Sequence, residues 1–202
     1  MKERIVVVVV SSPENAALAR LTFPQFWNYT SERNYDLIAL HRPKDDYLVH
    51  DLNYVSAILP LYSRVLLVDA DVLITNSNVR LETIPSKHPA GVVMSREIEG
   101  RSPINAGISL WLNCISAYEL IHKIVLASAF WSARPVDIYW QSFVAESPDL
   151  MRYVEVAGPR VLNSTDQGGE WHWEPGDFLC HFLGGTIESK IERVKEFIAA
   201  NK

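Results

Sequence analysis

Apolar runs separated by turn-forming residues mark most of the predicted strands and helices. The run at residues 5–10 is β-branched at every position, which is typical of a parallel strand buried on both faces. Similar runs predict further strands at residues 36–40, 64–68, 72–74, 91–95, 108–112, 153–156 and 178–183. Helices are expected at residues 16–21, 51–59, 116–127, 136–145 and 187–200. We expect Ser11 or Ser12 to cap the first helix, and Pro24 to bend or end it.

The order of these elements predicts an α/β fold. Strands and helices alternate in the first half of the chain, as they do in folds built on a parallel sheet. No Pro/Gly/Ser-rich linker divides the sequence, so residues 1–202 are expected to form one Rossmann-like domain. Its central sheet is expected to be mixed but mostly parallel, with helices on its flanks. Ligands of such folds bind at the carboxyl ends of the strands, so residues that follow a strand are candidates for a functional site.

The composition excludes several classes of partner. The chain has 202 residues, 48% of them hydrophobic, and a net charge of −5 without any block of basic residues. Nucleic acid is not expected as a partner, because binding a phosphate backbone requires a cationic surface. No apolar run approaches the ~20 residues that span a bilayer, so we expect no integral membrane segment and a cytoplasmic location. The two cysteines, Cys114 and Cys180, make neither a disulfide framework nor a thiolate zinc site.

Two acidic residues at the end of a buried strand are the strongest functional signal. The strand predicted at residues 64–68 is followed directly by Asp69-Ala70-Asp71. Two carboxylates separated by one small residue are costly to leave uncompensated beside a buried strand. A hard divalent cation, Mn²⁺ or Mg²⁺, would compensate both and would also attract an anionic small molecule. The motif therefore predicts a metal site, with a plain acidic loop as the alternative.

The same motif fits a rival chemistry. Phosphatases of the haloacid dehalogenase type also carry Asp-x-Asp after an apolar strand and use the first Asp as nucleophile. They normally place it on the first strand and need a later acidic pair for magnesium. Here the motif follows the third predicted strand, and the adjacent pair Asp45-Asp46 precedes it. These differences disfavour the phosphatase interpretation.

A histidine near the end of the chain is a candidate metal ligand. His181 lies within the apolar run at residues 178–183, and Gly184 follows that run. Such a histidine can present its imidazole to a metal while glycine backbone approaches a phosphate. A lone histidine is more often a satisfied core residue, so only its combination with Asp69 and Asp71 favours the ligand interpretation.

Two further segments combine polar, glycine and aromatic residues. Asn105-Ala106-Gly107 precedes the strand at residues 108–112 and, taken alone, is an ordinary turn sequence. Residues 163–176 are predicted to form a long surface loop, and long loops in compact domains are often functional. Its Trp171, His172 and Trp173 are expected either to form a stacking platform for an acceptor or to anchor the loop in the core.

Together these motifs resemble the GT-A glycosyltransferases of the retaining, glycogenin-like or galactosyltransferase-like kind, including compact domains of chlorovirus proteins. The resemblance extends over residues 6–184. It implies a Mn²⁺ or Mg²⁺ ion on the diphosphate of a UDP-sugar, held by Asp69, Asp71 and His181. The donor-binding residues that it implies are Val9, Ser11, Arg64, Asp69, Ala70, Asp71, Asn105, Gly107, Gly184 and Lys190.

The sequence departs from this family at the residues that touch the reacting sugar. The family often has Asp-Gln well before the final histidine, and the best-placed candidates here are Asp137 and Gln141, which would share one helix face. The adjacent pair Asp166-Gln167 is the alternative. We expect Asn105 and Gln141 to hydrogen-bond sugar hydroxyls, and Asp137 to stabilise a cationic anomeric carbon.

A second departure concerns the diphosphate. The lysine that the family often places six residues after the histidine is replaced by Ile187, and Lys190 is the nearest substitute. Diphosphate contact is therefore expected from Arg64, from Lys190 or from the backbone around Gly184.

The predicted function is metal-dependent transfer of a sugar from a UDP-sugar to a glycan or another hydroxyl acceptor, with retention of configuration implied by the resemblance. One alternative is a phosphatase or a sugar nucleotidyltransferase. The latter normally has a Gly-rich, Arg-containing loop after its first strand, which residues 11–14 lack. The other alternative is a non-catalytic module that binds sugars or nucleotides.

Overall fold

Helices and strands alternate along most of the chain. The computed structural model describes residues 3–42, 49–96, 103–128, 140–158 and 160–201. The strands are β1 (Ile5–Ser11), β2 (Asp36–His41), β3 (Arg64–Asp69), β4 (Val72–Ile74), β5 (Val92–Ser95), β6 (Asn105–Leu112), β7 (Val154–Val156), β8 (Ser164–Thr165) and β9 (Leu179–His181). The helices are α1 (Ala16–Arg33), α2 (His50–Ile58), α3 (Ile115–Ser128), α4 (Trp140–Ala145), α5 (Pro148–Met151) and α6 (Ile187–Ala200).

The central sheet confirms the predicted α/β fold. Its six strands lie in the order β2-β1-β3-β6-β5-β7. Strand β1 is parallel to β2 and β3, whereas β6 is antiparallel to both of its neighbours, β3 and β5. Because β6 runs in the opposite direction, its amino end lies at the same edge of the sheet as the carboxyl ends of β1, β2 and β3. This edge is where α/β folds bind ligands.

A second, smaller sheet extends from this edge. Its strands lie in the order β4-β9-β8, and β4 follows β3 after the turn at Ala70 and Asp71. Helix α6 covers one face of this sheet, where Val194 packs in a buried cluster with Leu73 and Cys180. The small sheet therefore joins the end of β3 to the C-terminal part of the chain.

Several boundaries differ from the predicted ones. Helix α1 continues through Pro24 to Arg33, because it buries residues on both sides of the proline, among them Leu18 and Phe26. Asn15, rather than Ser11 or Ser12, precedes the helix, and its Oδ1 accepts a hydrogen bond from the Ser12 N–H at 2.6 Å. At Pro24, the burial of α1 therefore outweighs the low helix propensity of proline.

Other differences concern the strands that carry candidate residues. Strand β6 begins at Asn105, so the expected turn at residues 105–107 is part of the strand, where it pairs beside β5. Strand β9 ends at His181, before the end of the predicted run.

In the described part of the chain, none of the helices has the length and apolar character needed to cross a bilayer.

Candidate functional site

Asp69 and Asp71 flank a tight turn at the carboxyl edge of the central sheet. Asp69 ends β3 with its side chain 38% exposed, and Asp71 precedes β4 with its side chain 14% exposed. Between them Ala70 is fully buried, and its carbonyl accepts a hydrogen bond from Thr22 Oγ1 of α1 at 2.9 Å. Because the turn is bonded to α1, both carboxylates are held at the end of the strand.

The small sheet brings His181 to these carboxylates from more than a hundred residues away. Val72 lies opposite His181 in the antiparallel pair of β4 and β9, and the Phe182 N–H donates to the Asp71 carbonyl at 2.9 Å. As a result His181 Nε2 lies 3.2 Å from Asp71 Oδ1, with the imidazole only 3% exposed. The sequence-predicted ligands Asp69, Asp71 and His181 thus share one site.

Gly107 occupies the centre of this site. A Cβ atom at Gly107 would lie 2.9 Å from His181 Cε1, closer than real contacts allow, and 3.1 Å from Asp69 Oδ2, tighter than most. The Gly107 N–H donates to Asn105 Oδ1 at 2.8 Å, so the motif folds back on itself beside the two acids. A side chain at this position would push the imidazole or the carboxylate away, which explains why the motif needs glycine here.

Gln141 joins the same motif from α4. Its Oε1 accepts a hydrogen bond from the Ala106 N–H at 2.7 Å. Asp137, the other residue predicted to touch the sugar, lies outside the described residues. Its alternative, Asp166, is paired with Arg193 at 2.7 Å, and Arg193 also donates to the carbonyl of Gly184. Asp166 is therefore part of an ion pair that fixes the backbone after β9.

Two cationic side chains neutralise the aspartates. Lys190 Nζ of α6 donates to Asp71 Oδ2 at 2.5 Å, so the predicted substitute lysine does reach the site. Arg42, which directly follows β2, forms an ion pair with Asp51 and lies 3.5 Å from Asp69 Oδ1. Our sequence interpretation missed Arg42, although its position after a parallel strand was a usable signal.

Arg64 lies far from the place expected of a donor contact. It begins β3, whereas Asp69 ends that strand. Five residues of extended chain separate the two by about 16 Å. The Arg64 guanidinium donates to the carbonyls of Leu81 and Ile84 at 3.0 and 3.1 Å. The guanidinium therefore binds residues 81–84 at the opposite edge of the sheet, away from Asp69 and Asp71.

The predicted nucleotide residues of β1 lie at the same sheet edge as the acids. The carbonyl of Ser11 accepts from the Arg42 N–H at 2.7 Å, which ties the ends of β1 and β2 together. Val9 and Ser11 also line a cavity of about 380 Å³ between α1 and the sheet, together with Phe23 and Ala39. This cavity is mostly apolar and opens to solvent.

The predicted surface loop at residues 163–176 begins with the buried strand β8, and the rest of it is anchored by a tryptophan. Trp173 Nε1 donates to Thr75 Oγ1 at 2.9 Å, and its ring packs edge-on against Phe197 at 4.8 Å. His172 is exposed, and Trp171 is half-buried. Trp173 therefore anchors this segment in the core, which is one of the two roles expected from the sequence.

It is electrostatically unfavourable for Asp69 and Asp71 both to be ionised without a nearby cation. Partial burial, followed by repulsion from Asp71, raises the pKa of Asp69 to about 6. Burial also acts to raise the pKa of Asp71, but His181 and Lys190 outweigh it and hold that pKa well below its usual range. Burial alone would lower the pKa of His181, yet Asp71 raises it overall. Asp71 is thus held in its ionised form by His181 and Lys190, whereas the charge of Asp69 is only partly compensated.

The residues present fit a divalent cation by their chemistry. Carboxylate oxygens and an imidazole are ligands that Mn²⁺ accepts in proteins. His181 Nδ1 is buried without a hydrogen-bond partner among the described residues, which is costly unless something else binds it. No three His, Cys, Asp or Glu side chains of the described residues already surround a single point as metal ligands would. Closing the site on an ion therefore requires side-chain rearrangement.

Solved structures with the same architecture include several glycosyltransferases, although the sequence matches no protein-family model and no curated protein. A glycosyltransferase involved in glycosylating the major capsid of PBCV-1 superposes with a TM-score of 0.73 at 19% identity, over 96% of this chain and 99% of that one. GlyE of Streptococcus pneumoniae TIGR4 gives 0.57 at 15% identity, over 98% and 64%. The galactosyltransferase LgtC, in complex with donor and acceptor sugar analogues, gives 0.54 at 13% identity, over 95% of both chains. This chain therefore has the fold of the GT-A glycosyltransferases.

Proposed function

We propose that the protein is a metal-dependent glycosyltransferase that moves a sugar from a UDP-sugar to a hydroxyl group of a glycan acceptor. The observation that carries the proposal is the meeting of Asp69, Asp71 and His181 around Gly107, at the ligand-binding edge of this fold. The solved structure of LgtC with donor and acceptor sugar analogues is consistent with this chemistry on the same architecture.

Three side chains would hold the cation in this proposal. Asp69, Asp71 and His181 supply two carboxylates and an imidazole, and the bound Mn²⁺ or Mg²⁺ would act as a Lewis acid on the diphosphate leaving group. Gly107 keeps the space between these ligands open. Because the small sheet and the central sheet each supply ligands, the site depends on both.

The remaining roles concern the donor. Lys190 lies beside Asp71 and would contact the diphosphate. Asn105 starts β6 next to Gly107, where it would hydrogen-bond the donor sugar, and Gln141 supports the same segment through Ala106. Val9 and Ser11, near the carboxyl end of β1, and Gly184, three residues after β9, are also proposed to contact the donor. Asp137 remains our candidate for stabilising the anomeric carbon. Retention of configuration is likewise part of the proposal.

A binding experiment tests the metal requirement. UDP is titrated into the protein by calorimetry with Mn²⁺ and then with EDTA, and we expect binding only with the metal. Asp71→Asn should abolish this metal-dependent binding while the protein remains folded, because it removes a charge rather than core volume. Asp149→Asn, which changes an exposed aspartate, is the matched control. Equal UDP affinity in Mn²⁺ and EDTA would refute the metal-dependent site.

A turnover experiment separates the enzyme from a non-catalytic module. Incubating UDP-glucose, UDP-galactose, UDP-xylose and related donors with Mn²⁺ should release UDP slowly to water from at least one of them. Release of inorganic phosphate from simple phosphate esters would instead favour the phosphatase alternative. Metal-dependent UDP binding without turnover of any donor would favour the binding module.

A further inference from the structure

The ion pair between Lys190 and Asp71 places a protein cation on a carboxylate that the proposed metal needs. Lys190 Nζ lies 2.5 Å from Asp71 Oδ2, and the two side chains are only 17% and 14% exposed. At this distance the ammonium fully engages one carboxylate oxygen, as in a charge-assisted hydrogen bond. Lys190 therefore lies where it competes with any other cation for Asp71.

The position of Lys190 is fixed by its helix. Thr186 caps α6 by accepting a hydrogen bond from the Ser189 N–H, and Val194 is buried against the small sheet that carries Asp71 and His181. The backbone of Lys190 is thereby held beside Asp71, while its four-carbon stem leaves the ammonium free to move by several ångströms. The lysine can leave the carboxylate without any movement of the helix.

From this geometry we infer that Lys190 makes the binding of the divalent cation and of the UDP diphosphate mutually dependent. Without nucleotide, a metal at Asp71 must displace the ammonium, and a partly buried ammonium without a counter-charge is unfavourable. A diphosphate beside the metal gives the displaced ammonium a new anionic partner. Lys190 thus opposes metal binding in the free protein and favours it once the nucleotide is present. This inference rests on the proposed function.

Loss of the Lys190 ammonium should therefore change the affinity for Mn²⁺ and the affinity for UDP in opposite directions. Removing the ammonium should tighten Mn²⁺ binding to the nucleotide-free protein, since a competitor is lost, and weaken UDP binding in the presence of Mn²⁺, since a diphosphate contact is lost. Because coupling between two ligands is reciprocal, the factor by which UDP tightens Mn²⁺ should fall by the same amount as the factor by which Mn²⁺ tightens UDP. A lysine with only a structural role would weaken both ligands.

The test compares wild type with Lys190→Met, which keeps the aliphatic stem but removes the charge. Free Mn²⁺ is measured by electron paramagnetic resonance, with and without UDP, and UDP binding by calorimetry. We expect Mn²⁺ affinity without nucleotide to rise on the order of tenfold, equivalent to about 1.4 kcal/mol, while UDP affinity with Mn²⁺ falls. Lys190→Arg retains the charge and should keep Mn²⁺ binding weak in the absence of UDP.

Controls separate this inference from the proposed function. Lys195→Met removes the same charge from an exposed position of α6 and should leave both affinities unchanged, and thermal melting confirms that each variant is folded. If wild type binds UDP only with Mn²⁺ but Lys190→Met binds Mn²⁺ alone equally or more weakly, the competitive role of Lys190 is wrong and the proposed function stands. If wild type binds neither Mn²⁺ nor UDP, both fail.

Discussion

Val72 of β4, the residue that follows Asp71, lies directly opposite His181 of β9. This antiparallel register is what brings the imidazole to the acidic turn, because paired residues of neighbouring strands lie about 5 Å apart. A shift of one residue would turn His181 toward the opposite face of the small sheet. The candidate site is therefore a product of strand pairing between distant parts of the chain.

The tight packing around Gly107 predicts that alanine is not tolerated there. In Gly107→Ala the new methyl group would lie 2.9 Å from His181 Cε1 and 3.1 Å from Asp69 Oδ2, so one of these side chains must move. We expect metal-dependent UDP binding to fall by at least about tenfold, because ligand geometry has to be held closely. Calorimetry with UDP and Mn²⁺ measures the change.

Gly168→Ala is the matched control for this substitution. A Cβ atom at Gly168 meets nothing within 4 Å, and the residue lies in the exposed loop. Its UDP affinity should equal that of wild type. Wild-type affinity in Gly107→Ala as well would mean that Asp69 and His181 do not converge beside this glycine.

The Arg42–Asp51 ion pair predicts a stability coupling that a double-mutant cycle can measure. The Asp51 side chain is 9% exposed and that of Arg42 is 21% exposed, so the charge of Asp51 depends on Arg42. Arg42→Gln leaves Asp51 buried without its partner and should lower the free energy of unfolding by about 3 kcal/mol. Arg42→Gln combined with Asp51→Asn should recover most of that loss. Urea denaturation of the two single variants and the double variant tests this.

Additive losses in that cycle would show that the two side chains do not interact in solution. Arg42→Gln also removes the cation that lies 3.5 Å from Asp69. Because that cation opposes a divalent ion at Asp69, Arg42→Gln should bind Mn²⁺ more tightly than wild type even though it is less stable. Unchanged Mn²⁺ affinity in Arg42→Gln would argue that Arg42 has no electrostatic effect on Asp69.

The lowered pKa of Glu82 predicts that the protein loses stability in acid. Burial alone would raise its pKa, but hydrogen bonds from Arg80 and Tyr35 outweigh burial and lower the pKa from 4.5 to about 2. A carboxylate whose pKa is lower in the folded state stabilises the fold above its unfolded pKa, and this contribution disappears as the pH falls from 4.5 toward 2. Since the side chain is partly solvated, we expect its contribution to the free energy of unfolding to be about 1 kcal/mol.

Glu82→Gln isolates this contribution. The variant should be less stable than wild type at pH 7, and the difference between the two should shrink as the pH falls through that window. Urea denaturation at several pH values measures it. Glu192→Gln, at an exposed position of α6, should follow wild type throughout. A difference between Glu82→Gln and wild type that stays constant from pH 7 to pH 2 would contradict the assignment.

Local patterns were sufficient for most of the elements, though not for α5 and β8, and not for all of the boundaries. The β-branched run of β1 and the apolar run of β3 identify these strands wherever they lie in a sheet, because both faces are buried. Pro24 was expected to bend or end α1, yet the helix continues to Arg33 since residues such as Phe26 are buried beyond the proline. Burial of that kind depends on what lies opposite the helix, which a window of sequence does not contain.

The α/β class and the acidic pair at the end of β3 follow from local sequence, because strand burial and the residues that follow a strand are local properties. Which cations reach that pair depends instead on the packing of distant parts of the chain. Arg64 is close to Asp69 in sequence but lies at the far end of the same strand, whereas Lys190 reaches Asp71 across 119 positions through the packing of α6 on the small sheet. Electrostatic partners are chosen by distance in space, and pairing between remote strands and helices sets that distance.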